Sequence, residues 1–471
     1  MISSAAASRN KNASAVSNSM KTVKKHNNRS DISGVSAAEF AAAVTELFPE
    51  NTLPEKIAIG VSGGADSMAL TLLLADYAKE TGRQLTALTV NHNLRAAAKD
   101  EAAQTAHILK KRGIPCHILD WQPTAQKTAI QKRARDARYR LMTEYCRENN
   151  IPVLFLAHHA GDQAETFWMR LQAGSGIDGL ACMEKLRREP ESGILIARPL
   201  LNFEKDDLKA VCTDHGTGWI EDPSNTAPQY LRSRIRKTLA QMPSEKIKIL
   251  QTVALFGRLR EKLRRETAAA TLDCAIFYPE AYAALHRNVW QGYPAEIRRR
   301  ILQNIVRDLA GKPYPPRTRT VDNALENLEN IPDHGVFTFG GCIFERQGDT
   351  VFICREAAAT RPESVTKTAF LFGRCFRIEL PFLPEKPLFC NVLGTRGLSF
   401  LPAAQRKNFA KKYKSLPRFA RQALPVLESA DGIAAVPHLA WANSAVFGEN
   451  PSISVRFRPP EAIFDEDIEI V

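Results

Sequence analysis

The sequence predicts an α/β protein: a doubly wound parallel sheet in its first half, followed by a mainly helical middle domain and a small α+β C-terminal domain. Three observations carry the first part. Short apolar runs rich in β-branched residues alternate with helix-length segments from residue 57 to residue 214. The first run, Ile57-Ala58-Ile59-Gly60-Val61, enters Ser62-Gly63-Gly64 and then a helix-period stretch from Asp66 to Leu74, the order strand, tight glycine turn, helix. Polar residues suited to chemistry fall directly after strands: Ser62 to Ser67, Asn91-His92-Asn93-Leu94-Arg95, His158-His159 to Asp162, and Arg198. Ligands of such sheets bind outside the carboxyl ends of the strands, so these residues are expected to share one crevice.

Taken in order, residues 1–36 are Ser, Ala, Asn and Lys with scarcely a large apolar side chain, a composition that cannot offset the entropy of ordering, and a disordered tail is expected. It has no apolar stretch of the secretory kind, which points to a cytoplasmic protein. A catalytic domain at 37–235 begins with a short helix at 38–48. It continues as strand 57–62, helix 66–79, strand 85–90, helix 99–112, strand 116–119, helix 130–149, strand 153–157, helix 162–172, strand 194–197 and helix 204–214. The middle domain, 236–358, carries Arg- and Lys-rich helices over 231–269 and 294–309, a break at Gly311-Lys312-Pro313, a helix at 319–329 and strands at 336–339, 342–346 and 351–354. A polar linker at 356–368 leads into the last domain, 369–471, with strands near 375–380 and 433–436.

A chain of 471 residues, 44% of them hydrophobic, can give each of about three domains a core, and no apolar run is long enough to span a bilayer. The 64 Lys+Arg against 51 Asp+Glu leave a net charge of +13, which favours a polyanionic partner, nucleic acid ahead of a membrane surface. The nine cysteines are scattered and form no C-x-x-C pair, as expected of free thiols in a reducing compartment rather than a disulfide framework or a zinc site.

The glycine turn makes an anion site. The first N–H groups of a helix lack partners within it, and Gly63 and Gly64 have no Cβ to hold a phosphate away. Ser62 and Ser67 add hydroxyls around Ala65, and Asp66 places a carboxylate where a phosphate-bound Mg²⁺ would sit. The G-x-x-x-x-G-K-[ST] spacing and its lysine are missing, so this is no Walker A loop. It resembles the SGGxDS loop (PP-loop) of the N-type ATP pyrophosphatases, which split ATP into AMP and pyrophosphate by adenylating a substrate. In His158-His159-Ala160-Gly161-Asp162-Gln163-Ala164-Glu165-Thr166, Asp162 or a neighbour is expected to cap a helix and Glu165 to close a capping box. One histidine would face the nucleotide, while Asp162 and Glu165, a turn apart, offer carboxylates to a cation.

The ordered set SGGADS, Asn91 to Arg95, Ala134-Arg135-Asp136-Ala137-Arg138-Tyr139, HHAGDQAET, Gly174 to Leu180, Arg198-Pro199-Leu200-Leu201 and Glu221-Asp222-Pro223-Ser224-Asn225 resembles the tRNA(Ile)-lysidine synthetase family. The resemblance implies adenylation of the wobble cytidine of an isoleucine tRNA with anticodon CAU, using ATP and Mg²⁺. Attack by the ε-amine of free lysine at C2 then expels AMP. It further implies catalytic roles for Asp66, Arg135, Arg138, His158 and Asp162, ATP contacts from Ser62 to Ser67 and His92, and lysine contacts from Asp162 and Glu165. RNA contacts are expected from Arg232, Arg234, Arg236, Lys411, Lys412 and Lys414, and the layout allows a homodimer. Two departures stand out: the family's HHxDDQAET has Gly161 here in place of the first aspartate, and its RNRIR reads Arg232-Ser233-Arg234-Ile235-Arg236. The alternative within the superfamily is a tRNA thiolase, which would require paired or relay cysteines.

Overall fold

Ile57, Ala58 and Ile59 of β1 (Lys56–Gly60) are fully buried, and a strand buried on both faces must be apolar throughout, which is why the run reads as continuous. The structure is a computed structural model that describes residues 34–93, 97–122, 130–221, 231–401, 403–449 and 451–458. The expected tail up to residue 33, Leu94 and Arg95, and residues 222–230 lie outside the described residues. The chain divides into two compact units, residues 1–260 and 261–471.

The first unit alternates α1 (Ala37–Leu47), β1, α2 (Ala65–Thr81), β2 (Gln84–Asn91), α3 (Ala97–Lys111), β3 (Cys116–Asp120), α4 (Ile130–Glu148), β4 (Val153–Phe155) and α5 (Ala160–Gln172). After the short helix Ile177–Leu180 come β5 (Leu186–Arg188), β6 (Leu195–Ala197) and the helix Lys205–Asp214. The sheet order is β3-β2-β1-β4-β6-β5, with β3, β2, β1, β4 and β6 parallel. One face packs α2 through Met68, Leu70 and Leu74. The other packs α4 through Met142 and Cys146 onto Ala58, Leu88, Leu154 and Ile196. The doubly wound parallel sheet expected from the sequence is present, with one addition. β5 pairs antiparallel to β6 at the edge, and its three residues, two of them arginines, carry no strand periodicity to read.

The basic helical stretch expected over 231–269 comprises two helices, Leu231–Ala240 and Pro243–Cys274. Pro243 opens the second, where its missing N–H costs nothing. In the second unit, helices Ala295–Leu309 and Thr318–Asn330 accompany a five-stranded antiparallel sheet. Its order is β7 (Ala275–Tyr278), β8 (Tyr282–His286), β11 (Thr350–Arg355), β10 (Cys342–Gln347), β9 (Val336–Phe339). The region read as mainly helical thus also carries two strands that Pro279 and their shortness concealed. The segment 356–368, expected to be a linker, contains β12 (Glu363–Val365) paired with β15 (Leu388–Val392). An edge strand made of Glu, Ser and Val shows too little apolar pattern to distinguish it from a loop. β16 (Pro425–Ser429), β17 (Gly432–Val436) and β18 (Trp441–Ala442) complete that second sheet in the order β12-β15-β16-β17-β18, and β13 (Ala369–Phe372), β14 (Phe376–Glu379) and β19 (Ser454–Phe457) form a three-stranded one. All nine cysteines are free thiols, eight of them buried. Among the described residues no helix is long and apolar enough to cross a membrane.

One buried ring in this unit ties its stability to pH. His438 is 7% exposed, its Nε2–H donates to the Pro279 carbonyl at 3.0 Å, and its Nδ1 is enclosed without a partner. Burial holds it down to about 4 from 6.5. Between those values the unfolded chain binds a proton that the native ring refuses, so stability falls as pH drops from 6.5 towards 4. The expected loss is about 3 kcal/mol. Urea unfolding at the two ends of that range checks it, and His438→Gln, which cannot ionise, is expected to flatten the dependence.

Candidate active site

The glycine loop is held open by its own serines. Ser62 N–H donates to Ser67 Oγ (3.1 Å), which donates to the Gly64 carbonyl (2.9 Å) and lies 3.2 Å from Ser62 Oγ. Ser67 is 5% exposed, so its hydroxyl braces the loop rather than standing free. Gly63 has φ +81°, and a Cβ there would meet Thr105 Oγ1 at 2.6 Å and Ile220 Cδ1 at 3.1 Å. Gly64, the N-cap of α2, gives no side-chain cap. The first N–H groups of α2 are therefore available to an anion.

Asp66 sits in the first turn of α2, its Oδ2 3.7 Å from His159 Nε2 and 3.9 Å from Lys205 Nζ, its Oδ1 buried without a hydrogen-bond partner. An orphaned carboxylate oxygen beside an open helix N-terminus fits a cation that reaches the protein with a phosphate. Among the described residues no cluster of three or more His, Cys, Asp or Glu could hold a metal alone, and Mg²⁺ bound chiefly through phosphates needs no more than one or two carboxylates.

His159, not Asp162, caps α5. Its Nδ1 accepts from Gly161 N–H (3.0 Å), while Asp162 at N3 accepts from His159 N–H (3.1 Å) through Oδ2. The capping box exists, but Asp162 closes it and not Glu165, because an imidazole can serve as the cap acceptor that sequence rules reserve for Ser, Thr, Asp and Asn. With Nδ1 accepting, the ring proton is on Nε2, 3.7 Å from both Asp66 Oδ2 and Asp162 Oδ2. Gly161 permits this: a Cβ there would stand 2.6 Å from His159 Cε1. Burial opposes charge on Asp162, but His159, His158, the His159 amide and Arg232 outweigh it and hold the carboxyl below its ordinary range. His158 is likewise pushed down, to about 3, by burial and then by Arg198; its ring is neutral at pH 7.

Glu165 is 2% exposed and already filled. Arg232 Nε donates to Oε2 at 3.0 Å and Arg236 Nε to Oε1 at 2.6 Å. The expected carboxylate pair for an incoming cation is thus reduced to Asp162, since two of the chain's own guanidiniums occupy the other. Arg232 and Arg236 correspondingly turn inward, while Arg234 is exposed. His92 accepts from Arg138 Nε (3.1 Å) and packs edge-on to Trp121; burial and the Arg138 charge hold it down to about 4. Arg135 is exposed and lies over the Tyr139 ring at 5.8 Å. Lys411, Lys412 and Lys414 are exposed on the helix Ala403–Ser415 of the second unit. The sequence reading missed Lys205, which no local pattern marks, and the electrostatic pairing of Tyr139 with Arg198, whose ends it had placed in two separate motifs.

The PP-loop domain family matches residues 36–242 of the chain. The chain is similar to the tRNA(Ile)-lysidine synthase of Wolbachia pipientis wMel, 31% identical over 81% of this chain and 88% of that protein. It is also similar to the tRNA(Ile)-lysidine synthase of Ruegeria pomeroyi, 33% identical over 74% of this chain and 82% of that one. Among solved structures, the U34-tRNA thiolase NcsA of Methanococcus maripaludis overlaps 48% of this chain and 79% of its own, at 19% identity and a TM-score of 0.42.

Proposed function

Because the chain belongs to the tRNA(Ile)-lysidine synthase family, an ATP-utilising group of tRNA-modifying ligases, we propose how its own residues carry the reaction. The base to be modified is the wobble cytidine of the CAU anticodon, activated at its carbonyl oxygen by AMP transfer and then attacked at C2 by the ε-amine of free lysine. One observation carries this reading: His159 joins the carboxylate of the glycine loop, Asp66, to the carboxylate of α5, Asp162, at 3.7 Å on each side. A phosphate-side group and an amine-side group therefore meet across one ring.

The α2 amides, shaped by Gly63 and Gly64, receive the phosphates of ATP. Asp66 would hold Mg²⁺, which when bound offsets charge on the departing pyrophosphate. Asp162, ionised, orients the lysine ammonium. His158, neutral, presents a hydrogen-bonding ring to the base without adding charge. Lys205 steadies Asp66, and Glu165 anchors Arg232 and Arg236 beside Asp162. The exposed Lys411, Lys412 and Lys414 support an RNA contact from the second unit.

Burial works against the thiolase alternative. It pushes the Cys146 thiol up to about 12 and Cys182 to about 11, far from the thiolate that sulfur delivery requires. The deciding experiment offers radiolabelled lysine and ATP to isoleucine and methionine tRNAs that share CAU. Label is expected on the isoleucine tRNA alone; label on both, or on neither, would remove the reading.

A further inference from the structure

Three arginines of the first unit lie near Tyr139, and among the described residues none of them pairs with a carboxylate. Arg198, just past β6, is 5% exposed; its Nη1 donates to the Glu184 carbonyl at 2.9 Å, and its Nε is enclosed without a partner. Arg187, on the adjoining strand β5, likewise encloses an unpartnered Nε. Arg135 covers the Tyr139 ring. Burial alone would raise the Tyr139 phenol, yet Arg198, Arg135 and Arg187 together hold it below its ordinary value. The carboxylates close by are committed: Glu165 to Arg232 and Arg236, Glu184 to Arg260 at 3.4 Å.

A guanidinium drawn from water without a counter-charge is costly, by several kcal/mol for a fully enclosed ion. Arg198, 5% exposed, is such an ion, and with the half-exposed Arg187 and the exposed Arg135 near the same phenol it describes a place made for an anion. The guanidinium fork matches phosphate oxygens in pairs. The sheet order β1-β4-β6 places Arg198 two strands, about 10 Å, from the strand that feeds the glycine loop, and His158 follows the strand between them.

We propose that Arg135, Arg187 and Arg198 form a second phosphate-binding subsite, separate from the glycine loop, which grips the RNA backbone beside the base being modified. The assignment rests on the reading of this crevice as the tRNA-modifying site. Guanidiniums at this distance from the loop fix the ribose-phosphate of the target nucleotide while the loop holds the nucleotide that activates it.

The test uses the full chain and an anticodon stem-loop in which each phosphate flanking the wobble nucleotide is replaced, one at a time, by a neutral methylphosphonate. At one of these positions the replacement is expected to weaken binding to the wild-type protein about tenfold. Arg187→Gln, at the half-exposed edge strand, is expected to bind the unmodified RNA about tenfold more weakly and to show no further loss with the methylphosphonate. Its salt slope should fall by about one. Equal losses in wild type and variant would overturn the proposal. So would an Arg187→Gln protein that binds ATP tenfold more weakly in the absence of RNA, which would assign the cluster to the nucleotide's phosphates. Labelled-lysine transfer by the wild type onto unsubstituted tRNA tests the functional reading separately, so failure of one is not read as failure of the other.

Discussion

Replacing Asp66 with asparagine is expected to slow AMP formation by about two to three orders of magnitude while changing tRNA affinity by no more than about twofold. The substitution keeps the shape of the side chain and removes only its charge. That charge has no full counterpart in the chain, since Oδ1 has no hydrogen-bond partner and Lys205 stands 3.9 Å from Oδ2. It is therefore available to a phosphate-borne cation, whose influence is felt as the pyrophosphate leaves and not when RNA docks. ATP-dependent AMP release and filter binding, measured on the same preparation, separate the two. Equal losses in both would make Asp66 a helix-terminus residue that favours the N-terminus of α2 by its charge alone.

The second large effect is expected on folding. Glu165→Ala removes a carboxylate that is 2% exposed and leaves Arg232 and Arg236 facing each other. Breaking a buried pair from one side costs about 3–5 kcal/mol, and because both guanidiniums are partly solvated the expected loss is nearer 2–4 kcal/mol. Thermal unfolding should fall by roughly 5–15 °C. Asp162→Asn, by contrast, keeps the cap acceptor and should leave the unfolding temperature nearly unchanged, while the Michaelis constant for lysine rises about tenfold. A Glu165 variant that folds normally but needs more lysine would return that residue to the substrate site.

The contrast between these two acids marks what the sequence could and could not disclose. Apolar strands buried on both faces announced the parallel sheet, and the glycine turn announced its anion site, because each depends on residues within a few positions of one another. The partner of Glu165 lies 67 and 71 residues away, and no local pattern tells whether a carboxylate on a helix faces a ligand or an arginine of its own chain. The electrostatic pairing of Tyr139 with Arg198 was hidden for the same reason. His159 escaped notice differently: capping rules rest on small oxygen-bearing side chains, and a ring nitrogen taking that place is seen only once the ring is placed. Strands such as β5, β7 and β12 are too short, or too polar, for alternation to register.

The contact between Gly161 and the His159 ring also bears on how these two positions can drift. A side chain at 161 and the present ring orientation at 159 exclude one another, since the first β-carbon would overlap Cε1. Aspartate in the family's pattern at that position therefore belongs with a different ring setting, and grafting it alone into this chain is not a reversion but a new combination. Positions 159 and 161 are therefore expected to behave as an epistatic pair, because the ring orientation that sets His159 Nε2 3.7 Å from both Asp66 and Asp162 leaves no room for a side chain at 161.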